Sequence, residues 1–279
     1  MTVVPAPSLL WRATRPDPRD GATQRLTAAD AAWDWIGFSA HRLAPGQAIE
    51  RPGDGQEVGV VVVEGHVAIQ AGASRFPSVG SRASVFEGPP APVVLVVAGE
   101  PVAIQAATAA TVLVASAPAG DPVATRLIEP ATMRVEERGH GQTARRIHHL
   151  LPPDQPASRL ILVEVFTPGG NWSSWPPHKH DTEDQPRESR LEELYYYRFE
   201  RPQGFALARV YSADRDLDQA MAPMDGDVVL VPRGFHPVGM PAGYDGYYLN
   251  VMAGPTRLWN FTLDPDHAWL MDWSPAAPR

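Results

Sequence analysis

The stretch NWSSWPPHKHD (171–181) sets two imidazoles, His178 and His180, on either side of the chain's only lysine, Lys179. In an extended segment alternate side chains share a face, so the two rings stand together, about 7 Å apart, and Lys179 turns away. Such a pair chelates one metal ion when further ligands converge on it; without them it is two surface histidines beside a turn. Two later segments offer such ligands. In LEELYYYRF (191–199), Glu193, Tyr195, Tyr197 and Phe199 fall on one face, an apolar face that begins with an acid. A buried carboxylate is unfavourable unless it is paired or binds a cation, and the other reading leaves Glu193 at an exposed strand start. In DGDVVLVPRGFHPVG (225–239) an apolar strand runs into a Pro-Arg-Gly turn and ends on His236, which is either a ligand or a loop histidine. The chain has no cysteine, so a transition-metal site here draws on nitrogen and oxygen ligands alone.

Other groups near these segments could move protons or hold an anion. Glu164, in the apolar run LILVEVF, is an unusual acid: a general base if it faces a site, an outward strand residue otherwise. Tyr195 is a hydroxyl donor on the ligand-bearing face, or a core aromatic. Tyr248 shares a face with Asn250 and Met252 and either lines a pocket or packs the sheet. Arg190, Arg209 and Arg233 are guanidinium candidates for a carboxylate, which arginine binds in bidentate fashion. Arg209 shares strand parity with Phe205 and Leu207, which is expected to turn it inward.

Strands must position these groups. Runs such as EVGVVVVEGHVAIQAG (57–72), APVVLVVAG (91–99), SRLILVEVF (158–166), GDVVLVPRG (226–234) and GYYLNVMAG (246–254) are rich in β-branched and aromatic residues and bounded by Gly and Pro. Only LTAADAAWDWIGF (26–38) hints at a helix. The polar insert DTEDQPRESRLE (181–192) is expected to be a loop. A Pro/Ala-rich crossover, 115–133, divides the chain into two β units, residues 1–130 and 131–279, with the histidine pair in the second. The first half lacks an H-x-H and a convergent acid. It is read as a metal-free unit, and its His66 as a packing or solvent-facing residue.

The 279 residues suffice for two modest cores. With 44% hydrophobic and 20% charged residues the balance is that of a soluble globular protein. A net charge of −8 without a basic block argues against nucleic acid and anionic membranes as partners, but leaves room for a small anionic substrate. No apolar run is long enough to span a membrane, and the N-terminus lacks a signal-peptide pattern. A cytoplasmic location is the expectation. The sequence leaves homo-oligomer formation open, since edges of β-sandwiches commonly pair.

Taken together, Gly170, His178, His180, Glu193 and Gly204, followed by Gly226, Pro232, Gly234 and His236, resemble the two motifs of the cupin superfamily. Twelve residues separate His180 from Glu193, more than the superfamily pattern has, and His236 follows Gly234 one position early. Five consecutive segments, NWSSWPPHKHD, LEELYYYRF, PQGFALARVY, DGDVVLVPRGFHPV and YYLNVMAGP, resemble the 5-deoxy-glucuronate isomerases of bacterial myo-inositol catabolism and their relatives, the uronate ketol-isomerases. The likeness is dense over 158–267 and thinner in the first half.

The resemblance implies an all-β bicupin: two double-stranded β-helix (jelly-roll) units in one chain. It implies one divalent metal ion (Zn, Mn, Fe, Co or Ni) held by His178, His180, Glu193 and His236. It further implies an aldose–ketose conversion of 5-deoxy-D-glucuronate to 5-dehydro-2-deoxy-D-gluconate. For that chemistry the residues offer Glu193, Glu164 and Tyr195 as candidate catalytic groups and Arg190, Arg209, Arg233 and Tyr248 as candidates against the substrate. A metal-dependent cupin dioxygenase and a non-catalytic sugar-binding bicupin are the competing readings.

Overall fold

The computed structural model describes residues 8–273. The outer ends of the two expected units, 1–7 and 274–279, lie outside the described residues. Valine-rich runs bounded by glycine and proline become antiparallel strands, as their stiff, branched side chains favour. In the first half, six strands (Ala22–Leu26, Gly37–Leu43, Gln56–Glu64, Val93–Val96, Ala110–Pro118 and Arg126–Ile128) form one sheet. It packs on a four-stranded sheet of Ala48–Arg51, Val67–Ala71, Ser74–Val79 and Val102–Ala106. Val58, Val60, Val62, Ile69, Val94 and Val112 fill the space between them, an aliphatic interior, while His66 is exposed.

The second half repeats the plan. A seven-stranded sheet runs in the order Leu10–Trp11, Val228–Val231, Glu192–Phe199, Gly246–Ala253, Ile161–Thr167, Arg145–Leu151, Arg134–Arg138. Opposite it lie Trp172–Ser173, Val238–Gly239, Leu207–Tyr211 and Asp218–Met221. One strand departs from the sequence division: Leu10–Trp11 crosses over to pair with Val228 and Val229 of the second half. The first half's last strand ends at Ile128 and the second half's own strands begin at Arg134.

The two large sheets pack back to back. Val61, Val63, Leu113 and Ala115 from the first meet Leu162, Leu194, Tyr196, Leu249 and Val251 from the second in one continuous core. Each such side chain contributes roughly 1.5–3 kcal/mol relative to exposure. Residues on the strands of the second sheet are therefore buried on both faces, one face toward the partner unit and one toward the unit's own interior.

Two local expectations fail. The only helical turn within residues 26–38 is the 3-10 turn Ala29–Ala31, because the backbone N–H groups of Asp34, Trp35 and Ile36 donate to the Glu192 carboxylate (2.7, 3.0 and 3.1 Å) instead of continuing a helix, and the ends of the span belong to strands. The insert after the histidine pair is a hairpin, Asp181–Asp184 with Glu188–Arg190, not a loop. Lys179 locks it by ion pairs to Asp181 (2.6 Å) and Glu188 (2.8 Å).

Glu164 also needs correcting as a catalytic candidate. It pairs across the sheet with Leu249 and points toward the first unit, away from the second unit's interior. There it is fully buried, ion-paired with Arg82 and bonded by His148 Nδ1 (3.1 Å) and the Tyr247 hydroxyl (2.9 Å). Burial opposes its charge, but Arg82 and His148 bring its carboxyl down to about 2. It is a clamp between units.

Removing one partner of a buried pair typically costs about 3–5 kcal/mol. Glu164→Gln should therefore lower the urea midpoint clearly while metal content and turnover per folded molecule stay near wild type. A lost turnover at an unchanged midpoint would restore Glu164 as a catalytic group.

Candidate metal centre

The interior of the second unit is polar at one end. The strand Glu192–Phe199 turns Glu193, Tyr195 and Tyr197 into it, and Leu194 and Tyr196 toward the first unit. The adjacent Glu192 and Glu193 consequently do unrelated work, one joining the units and one facing the interior. His178 lies on the two-residue strand His178–Lys179, which pairs with Thr262–Leu263; His180 follows it. His236 comes from the turn after Val228–Val231. Gly234 makes that turn with φ +85°, where a Cβ would stand 2.4 Å from the Tyr211 carbonyl oxygen.

The ligand atoms of His178, His180 and His236 all lie within 4.8 Å of one another. Each ring is oriented from behind: Nδ1–H donates to the carbonyl of Pro176 (3.4 Å), Leu191 (3.3 Å) or Gly234 (2.8 Å) respectively. This fixes the tautomer and aims every Nε2 at the same space. Glu193 Oε2 is 2.9 Å from His180 Nε2 and 3.2 Å from His236 Nε2. Its other oxygen accepts a 2.6 Å bond from Asn250 Nδ2. The rings of His178 and His236 lie 4.7 Å apart, those of His180 and His236 5.0 Å.

Burial lowers His178 to about 3, with help from His180, and His236 likewise to about 3, despite the charge of Glu193. Both therefore present lone pairs at neutral pH. For His180 burial works the same way, but the hydrogen bond and charge of Glu193 prevail and raise it. The buried Nε2 of His236, although 3.2 Å from Glu193 Oε2, makes no aligned hydrogen bond. Orphaned buried nitrogens are rare in folded proteins. Three imidazoles and a carboxylate around an orphaned nitrogen fit a divalent transition metal, whose bonds to such donors are roughly 2 Å.

Around these donors stand Tyr195 and Tyr248, stacked at 4.7 Å and 17°. The Tyr195 hydroxyl is 2.9 Å from Ser174 Oγ, and its ring 6.0 Å from that of His236. The expected arginines are elsewhere. Arg209 faces outward with Leu207, because Ala208 and Val210 take the inner face, and is bonded to Asp218 (2.8 and 2.6 Å). Arg233 pairs with Asp216 (2.6 Å) and Arg190 with Asp34 (3.6 Å), both at the surface. Arg209 does share a face with Leu207, but that face is the outer one, and Leu207 itself is exposed. Sequence reasoning missed Ser174, Asn250's hold on Glu193, and Arg145. The last was signalled by ARRIHHLL, where Arg145, Ile147 and His149 alternate onto one face.

The fold and this donor set define a bicupin with a three-histidine, one-carboxylate centre in its second unit. More narrowly, the chain belongs to the KduI/IolB family, whose profile matches residues 10–270. It is 46% identical over 260 residues to a 5-deoxy-glucuronate isomerase of Geobacillus kaustophilus, covering 93% of this chain and 94% of that one. The corresponding protein of Halalkalibacterium halodurans is 42% identical over 95% of this chain and 99% of its own. An IolB-like protein from Salmonella typhimurium superposes with a TM-score of 0.91 at 44% identity, over 95% of this chain and 100% of that one. An oxalate decarboxylase from Lactobacillus farciminis, 14% identical, shares the fold with a TM-score of 0.64, over 97% of this chain and 92% of its own. Among the described residues no helix is long and apolar enough to cross a membrane.

His236→Ala should fold yet lose stoichiometric metal. Elemental analysis of the purified variant checks this, and a full complement of metal would remove His236 from the site.

Proposed function

We propose that this chain is a metal-dependent aldose–ketose isomerase that converts 5-deoxy-D-glucuronate to 5-dehydro-2-deoxy-D-gluconate in the cytoplasm during inositol degradation. The observation that carries the reading is the convergence of His178, His180, His236 and Glu193 in the interior of the second unit, beside the stacked rings of Tyr195 and Tyr248. The names of its relatives over nearly the whole chain supply the substrate.

The reaction moves one hydrogen from the hydroxyl-bearing carbon to the adjacent carbonyl carbon, and one from the hydroxyl to the former carbonyl oxygen. It needs no oxidant and no second substrate. His178, His180, His236 and Glu193 would hold a divalent cation, which supplies Lewis-acid polarisation of neighbouring carbonyl and hydroxyl oxygens. Asn250 keeps the Glu193 carboxylate oriented through its 2.6 Å bond, so the acid cannot swing away when the substrate enters. Burial raises the Tyr195 phenol well above its usual range. At neutral pH it remains a hydroxyl and serves as a hydrogen-bond donor or a proton relay with Ser174, 2.9 Å away. The stacked Tyr195 and Tyr248 rings are buried, and an apolar surround of this kind strengthens the polar contacts beside it.

Two outcomes follow. Chelated protein should lose isomerase activity and regain it when a divalent metal is restored; activity undiminished by complete metal removal would overturn the proposal. Arg209→Ala should leave KM for the sugar acid within about twofold of wild type, since its guanidinium is engaged at the surface; a large rise in KM would place it back against the substrate.

A further inference from the structure

The three arginines expected to hold the substrate's carboxylate are committed to surface acids, which leaves that end of the molecule without a partner. We infer that Arg145 binds the carboxylate of the substrate, an inference that rests on reading the site as one for a sugar acid. Arg145 opens the strand Arg145–Leu151 and alternates with Ile147 and His149. Ile147 pairs with Val165, Val165 with Tyr248, and Tyr248 with Tyr197 across the seven-stranded sheet. That row belongs to the inner face, the one that carries Glu193 and Tyr195. The arginine therefore shares a face with the metal ligands, and Glu164 does not.

Its guanidinium donates only to backbone carbonyls, those of Thr143 (2.9 Å) and Trp175 (3.4 Å). Trp175 lies three residues before His178 in the segment that delivers the histidine pair. Among the described residues no carboxylate stands within ion-pair distance of Arg145. Its strand neighbour Arg138, by contrast, donates twice to Glu136 (2.7 and 3.0 Å). A guanidinium has five N–H groups in a planar fork matched to a carboxylate, so donors remain for a ligand. The bond to the Trp175 carbonyl sets the guanidinium against the segment that leads to His178, and its charge helps to hold the His178 imidazole down. Burial disfavours that charge, and Tyr248, Glu136 and Tyr195 only partly offset it. An anion bound by the guanidinium would relieve this cost.

The consequence is two-point recognition. The substrate has an aldehyde with its neighbouring hydroxyl at one end and a carboxylate at the other. The histidine and glutamate cluster addresses the first and Arg145 the second. Neutral aldoses lack the second contact, so Arg145 would select acids over ordinary sugars.

The test uses metal-loaded protein and two ligands that cannot isomerise: the substrate with its aldehyde reduced to an alcohol, and the uncharged amide of that compound. Charge-assisted hydrogen bonds contribute about 1.5–3 kcal/mol, or roughly ten- to hundredfold in Kd. Calorimetry should show wild type preferring the acid to the amide by about that factor. Arg145→Gln should lose the preference, with amide binding unchanged, and Arg145→Lys should restore part of it. In turnover, Arg145→Gln should raise KM for 5-deoxy-glucuronate about tenfold or more with kcat within about threefold. If Arg145→Gln keeps the preference, or weakens acid and amide alike, Arg145 merely props the Trp175 segment and the inference fails. If wild type binds the acid through Arg145 yet does not isomerise the aldehyde, the isomerase reading fails and the anchor stands.

Discussion

The centre depends on the orientation of three imidazoles from behind. Left to itself, a buried histidine directs its ring nitrogens to whatever donor or acceptor is near, and three together gain nothing by facing one another. Here the carbonyls of Pro176, Leu191 and Gly234 each take an Nδ1–H, and the Nε2 atoms are left facing inward with Glu193 between two of them. Those carbonyls belong to a proline-rich approach, a strand start and a glycine turn. The donor geometry is therefore set by backbone, and backbone is set by the sheets. Burial then keeps His178 and His236 neutral, so the site holds nitrogen lone pairs where solvent-exposed histidines would partly protonate.

The sheets achieve this by separating two kinds of carboxylate chemistry with strand alternation alone. Glu193 faces the interior and Glu192 the other unit, where it gathers three backbone N–H groups. Glu57 does the same from the first unit, accepting N–H groups of Ser158, Arg159 and Leu160. With the Arg82–Glu164 pair and Arg198 bridging Glu64 and Asp225, these contacts tie the first half to the half that carries the histidine cluster. The first unit's interior is aliphatic, and its six-stranded sheet covers the back of the seven-stranded sheet.

The sequence disclosed more of the metal site than of the substrate site, and the reason is physical. Metal donors are few residue types, and a two-residue period assigns them to a face. That reasoning chose Glu193 over Glu192 and grouped it with Tyr195, and the structure brings these together with the three histidines. The same reasoning failed where the strand's end or the neighbouring sheet decides orientation. Arg209 shares a face with the apolar Leu207, yet that face is turned to solvent. Glu164 sits on a strand buried on both faces, so an apolar surround did not say which face was the interior. For Arg145 the sequence shows the alternation with Ile147 and His149, and the register to Val165 and Tyr248 shows which side of the sheet that face is. The crossover of Leu10–Trp11 into the second unit left no local trace at all, since pairing across such sequence distance is a property of the packed sheets.

The most direct measurement is X-ray absorption at the edge of the metal in protein loaded with one equivalent of a divalent ion. The account predicts back-scattering from three imidazoles together with oxygen ligands, and the loss of one imidazole contribution in a His180→Ala variant that still retains metal. A spectrum with at most one imidazole, or one unaltered by that substitution, would contradict the claim that these four side chains share a single cation.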